Sequence, residues 1–81
     1  MIQIKLHKTM QPSIHIYKTN INTLEQIKKA DLILSKHTKV KKWNIDIDDC
    51  DKVLRIESSQ QEILDVIVSL KPFNIYCEVL E

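Results

Sequence analysis

Four stretches of the chain alternate apolar and polar residues, a pattern typical of strands that bury one face. In the first stretch Tyr17 and Ile21 share one face, which places Ile14 and Ile16 on the other. The second has a dry face formed by Trp43, Ile45 and Ile47. The four predicted strands cover residues 13–21, 40–48, 53–57 and 73–80.

The segment after the first strand carries apolar residues at helical spacing and predicts a helix that ends near Ser35. Its expected core face consists of Leu24, Ile27, Ala30 and Leu34. Thr23 and Gln26 have the spacing of a capping box, in which the threonine accepts from the glutamine amide and the glutamine side chain reaches back. Leu32 lies off the apolar stripe and is expected on the surface.

A second helix is predicted between the third and fourth strands. Its buried face is expected to consist of Ile63, Val66, Ile67 and Leu70. Ser59 and Glu62 repeat the capping-box spacing, and Pro72 sets the limit before which the helix must end.

The order strand, helix, strand, strand, helix, strand predicts an α+β fold of the ferredoxin-like βαββαβ type. In that sandwich a four-stranded antiparallel sheet carries two helices on one face, and the short "DCDK" connection makes the middle strands a hairpin. Residues 13–81 form the predicted domain. Residues 1–12 precede it as an N-terminal extension whose alternating "IQIKL" could add a strand.

With 81 residues the chain has room for one domain and one modest core. It contains no glycine, so Asn74 and Asp49 are the expected positions of positive φ. No window is apolar enough to cross a membrane, and the N-terminus does not resemble a secretion signal. We therefore expect a cytoplasmic protein without a membrane partner.

Charge is nearly balanced, at a formal net value of +1, but it is segregated along the chain. The basic run "KHTKVKK" has no neighbouring aromatic except Trp43, which its parity assigns to the core, so nucleic acid is not an expected partner. The acidic run "DIDDCD" lacks the glycine and the spaced glutamate of a calcium loop. A solvated hairpin turn explains it better.

Three segments, "YKTNIN", "VKKWNIDID" and "DKVLRIESS", have a spacing that resembles the heavy-metal-associated domains of small copper chaperones and copper-transporting ATPases. The resemblance runs from about Ser13 to Leu80 and implies the ferredoxin-like fold. Family members hold Cu(I) or another soft ion with a Met-x-Cys-x-x-Cys loop before the first helix. Soft thiolates select soft ions, and a helix N-terminus favours the thiolate form.

Aligning that loop with this chain puts the family's methionine at Ile21 and its two cysteines at Thr23 and Gln26. Neutral oxygen and amide groups are poor ligands for a soft ion, so no metal and no cofactor are expected at the family site. Lys39 and Asn74 stand at two positions where the family has glycine. Helix capping is the favoured role of Thr23 and Gln26, with a weak anion site as the alternative.

The remaining candidate chemistry is sparse. Cys50 and Cys77 are far apart in sequence and are expected to be free thiols, with no neighbouring base that indicates an enzyme. His15 is expected to pack towards the helices rather than to bind a ligand. Met1, His7 and Met10 could in principle form a soft-metal tail, but chance explains the occurrence of three such residues at this density.

Ile14 and Ile16 are expected on a sheet face that this architecture leaves open, and Leu32 adds a further exposed apolar side chain. These three residues are the candidate interaction surface. We therefore predict a non-enzymatic interaction module that lacks the family's metal ligands and binds an unknown protein or a second copy of itself. The alternative is a soft-metal binding or transport protein that uses other sulfur or histidine ligands.

Overall fold

The alternating and helical patterns form an α+β fold over residues 13–80, the part of the chain that the computed structural model describes. The predicted N-terminal strand within residues 1–12 lies outside this part. The elements are β1 (Ser13–Thr19), α1 (Leu24–Lys36), β2 (Val40–Asp46), β3 (Val53–Ser58), α2 (Leu64–Val68), a 3₁₀ turn (Lys71–Phe73) and β4 (Cys77–Val79).

The four strands form one sheet in the order β2-β3-β1-β4, and all neighbouring strands are antiparallel. At the centre Tyr17 of β1 lies opposite Leu54 of β3, and Leu54 in turn lies opposite Ile45 of β2. The β2–β3 register shifts between Val40 and Lys42, which marks a β-bulge at the start of β2. The sheet therefore has β2 and β4 as its edges among the described strands.

The core lies between one sheet face and both helices. Tyr17 and Ile56 point into it from the sheet, and Ala30 and Val66 reach it from the helices. Its buried apolar residues are Tyr17, Ile21, Ala30, Leu34, Leu54, Ile56, Ile63, Val66, Ile67, Leu70 and Ile75. Both helices contribute side chains to this single cluster and therefore lie on the same face of the sheet. The opposite sheet face carries no helix within residues 13–80. We call that opposite side the open face.

Most predicted core residues are buried, but Leu24 is not. Its exposed fraction is 66%. It is the first residue of α1, and the fully buried residues of that helix, Ala30 and Leu34, lie six and ten residues further on. The predicted apolar stripe of α1 is thus correct towards its C-terminal end and wrong at its start.

Strand ends also differ from the prediction. Ile47 belongs to the hairpin turn and is largely exposed, because β2 ends at Asp46. Phe73 belongs to the 3₁₀ turn that begins at Lys71, which delays β4 until Cys77. Alternation identified these strands, but their ends follow from the turns that join them.

The capping box predicted for Ser59 and Glu62 is wrong. The helix begins only at Leu64, and its N-cap residue Ile63 makes no side-chain capping hydrogen bond. Ile63 is itself buried in the core, with 2% of its surface exposed. The Ser58 hydroxyl accepts a hydrogen bond from the Gln60 amide in this connection, at 2.9 Å.

Positive φ occurs at Asn74, as predicted, with φ 63°. The second position is Lys52, with φ 47°, and not Asp49. Asp49 instead shapes the hairpin turn through its acceptors: its backbone carbonyl accepts from the Lys52 amide at 2.9 Å, and its carboxylate accepts from the Asp51 amide at 2.8 Å. The residue with left-handed backbone conformation is thus Lys52, which directly precedes the first residue of β3, Val53.

Candidate functional site

The junction between β1 and α1, where the resemblance places a metal loop, is closed by its own hydrogen bonds. The Thr23 hydroxyl accepts from the Gln26 amide at 3.1 Å. The Gln26 carboxamide oxygen accepts from the amides of Asn22 and Thr23, at 2.9 and 3.2 Å. The predicted capping box is therefore confirmed. Three backbone N–H groups that could have faced an anion are already paired with side-chain oxygens.

Asn20 ties this junction to the loop before β4. Its side-chain amide donates to the Asn74 carbonyl, and its carboxamide oxygen accepts from the Tyr76 amide, both at 2.9 Å. Both bonds join residues more than fifty positions apart in the chain. The sequence analysis missed Asn20, because no local pattern marks a partner that only the tertiary fold brings close.

Thr19 supplies a further link at the end of β1. Its hydroxyl donates to the Lys52 carbonyl at 2.6 Å and accepts from the Ile21 amide at 3.1 Å. The residue is buried, with 9% of its surface exposed. The second bond is a local turn in which a threonine accepts from the amide two residues on, so the Thr-x-Ile sequence carried a weak signal for it.

A shallow cleft of about 410 Å³ opens beside the capping box. Its lining residues are Thr23, Glu25, Gln26, Lys29, Pro72, Phe73 and Asn74. The Lys29 ammonium lies 5.5 Å from the centre of the Phe73 ring, a cation–π contact between α1 and the 3₁₀ turn. The polar groups of these residues are oxygen and nitrogen atoms, which match a soft ion poorly.

Of the three positions aligned with the family's loop, Ile21 has a side chain that is fully buried in the core. Thr23 is exposed and Gln26 is half-buried, and the two contact each other. The structure therefore brings together the two positions aligned with the cysteines. Their contact is a hydrogen bond between the hydroxyl and the carboxamide oxygen at 3.2 Å.

Both cysteines are free thiols, as expected. Cys77 is half-buried in β4, and burial raises the pKa of its thiol to about 11, so the thiolate form is disfavoured at neutral pH. Cys50 is exposed in the hairpin turn, where its sulfur and the carboxylates of Asp49 and Asp51 lie within 4.8 Å of one another. Asp51 also forms an ion pair with Lys18 at 3.9 Å, as expected of a solvated turn.

The predicted interaction residues separate onto two layers. Ile14 and Ile16 lie on the open face, where Ile14 has 52% of its surface exposed. Leu32 is also exposed but belongs to α1, which covers the other side of the sheet. The Leu80 amide extends the β1–β4 ladder by donating to the Ile16 carbonyl at 3.0 Å. Leu80 thus adds an apolar neighbour to the two isoleucines, and Leu32 is not part of that patch.

The other candidate groups have structural partners. His15 is half-buried, and its Nε2 atom lies 3.2 Å from the Gln60 carbonyl oxygen. Within the basic run, Lys39 donates to the Asp65 carboxylate at 3.0 Å and so joins that run to α2.

Met1, His7 and Met10 lie outside the described residues. None of the helices within residues 13–80 has the length and apolar character needed to span a membrane.

Comparison of the chain with known protein families gives no matching family model, and comparison with curated proteins gives no significant match.

Proposed function

We propose that this chain is a cytoplasmic, non-enzymatic domain of the heavy-metal-associated type that has lost the metal ligands and acts through protein contacts. The ferredoxin-like part of this proposal is supported by the strand order. β1 and β2 are connected through α1, yet β3 lies between them, and β3 and β4 are separated by β1 in the same way. Two interlocked split βαβ units account for this order.

The observation that carries the proposal is the capping box at the start of α1. A thiolate pair here would present two soft ligands to an ion, whereas Thr23 and Gln26 pair with backbone amides and with each other. Neutral oxygen groups that already accept hydrogen bonds have little capacity left for a soft cation. We therefore assign this junction a role in stabilising the helix start.

The protein-contact part of the proposal rests on the apolar groups of the open face, Ile14, Ile16 and Leu80. The partner is a second copy of the chain or another protein. The cytoplasmic part of the proposal rests on the sequence, whose two cysteines do not have the spacing of a disulfide framework.

The metal-free assignment is tested by titrating the reduced protein with Cu(I) against a chromophoric competitor. We expect no sub-micromolar binding by the natural chain. The variant Thr23→Cys with Gln26→Cys should gain such binding, because it restores the Cys-x-x-Cys spacing at a helix N-terminus. A matched control, Lys28→Cys with Asp31→Cys, has the same spacing on exposed residues inside α1 and should gain less.

Two outcomes contradict the assignment. One is one-to-one, sub-micromolar Cu(I) binding by the natural chain that persists when Cys50, Cys77 and the histidines are replaced. The other is a folded Thr23→Cys, Gln26→Cys variant whose Cu(I) affinity does not exceed that of the control, which would show that the aligned register is wrong.

The second candidate function is soft-metal binding through other ligands. It is favoured by one observation, the approach of the Cys50 sulfur to the carboxylates of Asp49 and Asp51. A single thiol with two hard oxygen ligands is a poor match for Cu(I), which places this candidate second. If it is correct, Cys50→Ser abolishes Cu(I) binding by the natural chain, while Cys77→Ser leaves it unchanged.

A further inference from the structure

The β2 edge offers a second copy of the chain a self-complementary surface. Among the described strands β2 is hydrogen-bonded on one side only, to β3. The bulge at its start and the turn after Asp46 leave a regular segment of five residues, Lys42 to Asp46. The backbone groups on the outer side of such a segment are available to another strand.

Symmetry restricts how two identical edges can pair. Two antiparallel strands related by a two-fold axis perpendicular to the sheet place one residue opposite itself, and residues at equal distances on either side of it face each other. The midpoint of the regular segment is Asn44, so the longest pairing has Asn44 on the axis. In that register Lys42 lies opposite Asp46 of the second copy, and Trp43 lies opposite its Ile45.

The side chains match in this register. Lys42 and Asp46 are exposed and on the open face, so two opposite-charge pairs form across the axis. On the other face, Trp43 and Ile45 are half-buried against the core and would bury more apolar surface together. Lys42 would then stand between its own cross-strand neighbour Glu57 and the second copy's Asp46.

The two neighbouring registers are poorer. With Trp43 on the axis, Lys42 faces the neutral Asn44, and the bulge at Lys41 enters the pairing. With Ile45 on the axis, only the last three residues of β2 face another strand residue. Both charge matching and pairing length therefore favour the register that has Asn44 on the axis.

We propose that two copies of this chain pair antiparallel through β2, with Asn44 on the two-fold axis. Counting the described strands, the product is one sheet of eight strands, four from each copy. The two open faces then lie side by side on one surface. This inference goes beyond the proposed function, because it uses the β2 edge rather than the apolar open face or the junction that the Cu(I) titration tests.

The test uses the full chain in sedimentation velocity from about 10 to about 500 µM, a range suited to a small interface. The charge variants are Lys42→Glu and Asp46→Lys, measured alone and as an equimolar mixture. Each variant alone makes two like-charge pairs, and we expect its dimer dissociation constant to rise at least about tenfold. In the mixture both pairs are again opposite in charge, and the dimer should return.

Lys28→Glu is the matched control, because it makes the same charge change on the exposed surface of α1. It should leave the dimer unchanged. Lys42→Glu also faces Glu57 within its own sheet, so circular dichroism checks that the variants are folded. Asp46→Lys, which lies opposite the apolar Val53 and removes only the carboxylate that accepts from the Asp48 amide at 3.2 Å, is the second variant if Lys42→Glu is unstable.

Three outcomes overturn the proposal. The natural chain remains monomeric over the whole concentration range; the dimer of Asp46→Lys is as tight as that of the natural chain; or the mixture of folded charge variants remains monomeric. Each of these leaves the Cu(I) result unaffected, so the failure of this proposal is distinguishable from failure of the metal-free assignment.

Discussion

Replacing Thr19 by valine removes one hydroxyl while keeping the shape of a buried side chain. That hydroxyl joins the end of β1 to both neighbouring loops, through the Lys52 carbonyl at 2.6 Å and the Ile21 amide at 3.1 Å. Valine is almost isosteric with threonine, so the substitution leaves no cavity. It therefore isolates the contribution of these two hydrogen bonds from that of packing.

The expected loss follows from the two groups left behind. An unsatisfied buried backbone group costs about 1 to 3 kcal/mol. The Ile21 amide is buried and should contribute in full, whereas Lys52 is half-buried, so water can partly satisfy its carbonyl. With the Lys52 carbonyl counted at about half weight, and after allowance for about 0.8 kcal/mol gained by the added methyl group, we expect a net loss of about 0.7 to 3.7 kcal/mol.

Urea unfolding followed by Trp43 fluorescence measures this loss, because Trp43 is the single tryptophan and is packed against the core. For a domain of this size the same loss lowers Tm by roughly 3 to 30 °C. Thr19→Ser keeps the hydroxyl and should lose less. Thr38→Val is the control at an exposed turn position. If Thr19→Val changes stability by no more than that control does, these two bonds do not stabilise the junction.

Two further predictions concern ionisable groups. The hydrogen bond from Lys39 holds the pKa of Asp65 below its ordinary value, so the stability that this pair provides is present above the unfolded-state pKa and is lost as the pH falls through the folded value. In an NMR titration Lys39→Met should raise the Asp65 midpoint, and an unchanged midpoint would contradict the contact. Burial raises the pKa of Cys77 to about 11, so a thiol reagent at mildly alkaline pH should modify exposed Cys50 first. Modification of Cys50 should therefore appear as a fast phase, and Cys50→Ser should abolish it. Equal rates of modification at Cys50 and Cys77 would refute the difference in thiol reactivity.

The two capping-box signals show where local reasoning succeeds. At Thr23 and Gln26 the donors and acceptors lie within five residues of one another, so sequence spacing predicts their contact. Ser59 and Glu62 have the same spacing, yet the helix begins only at Leu64, after the buried Ile63. A capping box stabilises a helix by about 1 kcal/mol, which is less than the burial of one isoleucine side chain contributes.

The sequence by itself determined the helices and strands within residues 13–80, the buried sides of the strands and the capping box at the β1–α1 junction, because these features depend on period and on contacts between near neighbours. It did not predict the 3₁₀ turn at Lys71–Phe73. Only the tertiary structure decided how Asn20 and Thr19 join distant loops, that Lys52 takes the positive φ, and that Leu32 is separated from Ile14. It also placed Lys42 and Asp46 at the two ends of a regular edge. These features depend on strand order and register, which bring together residues that no local pattern relates.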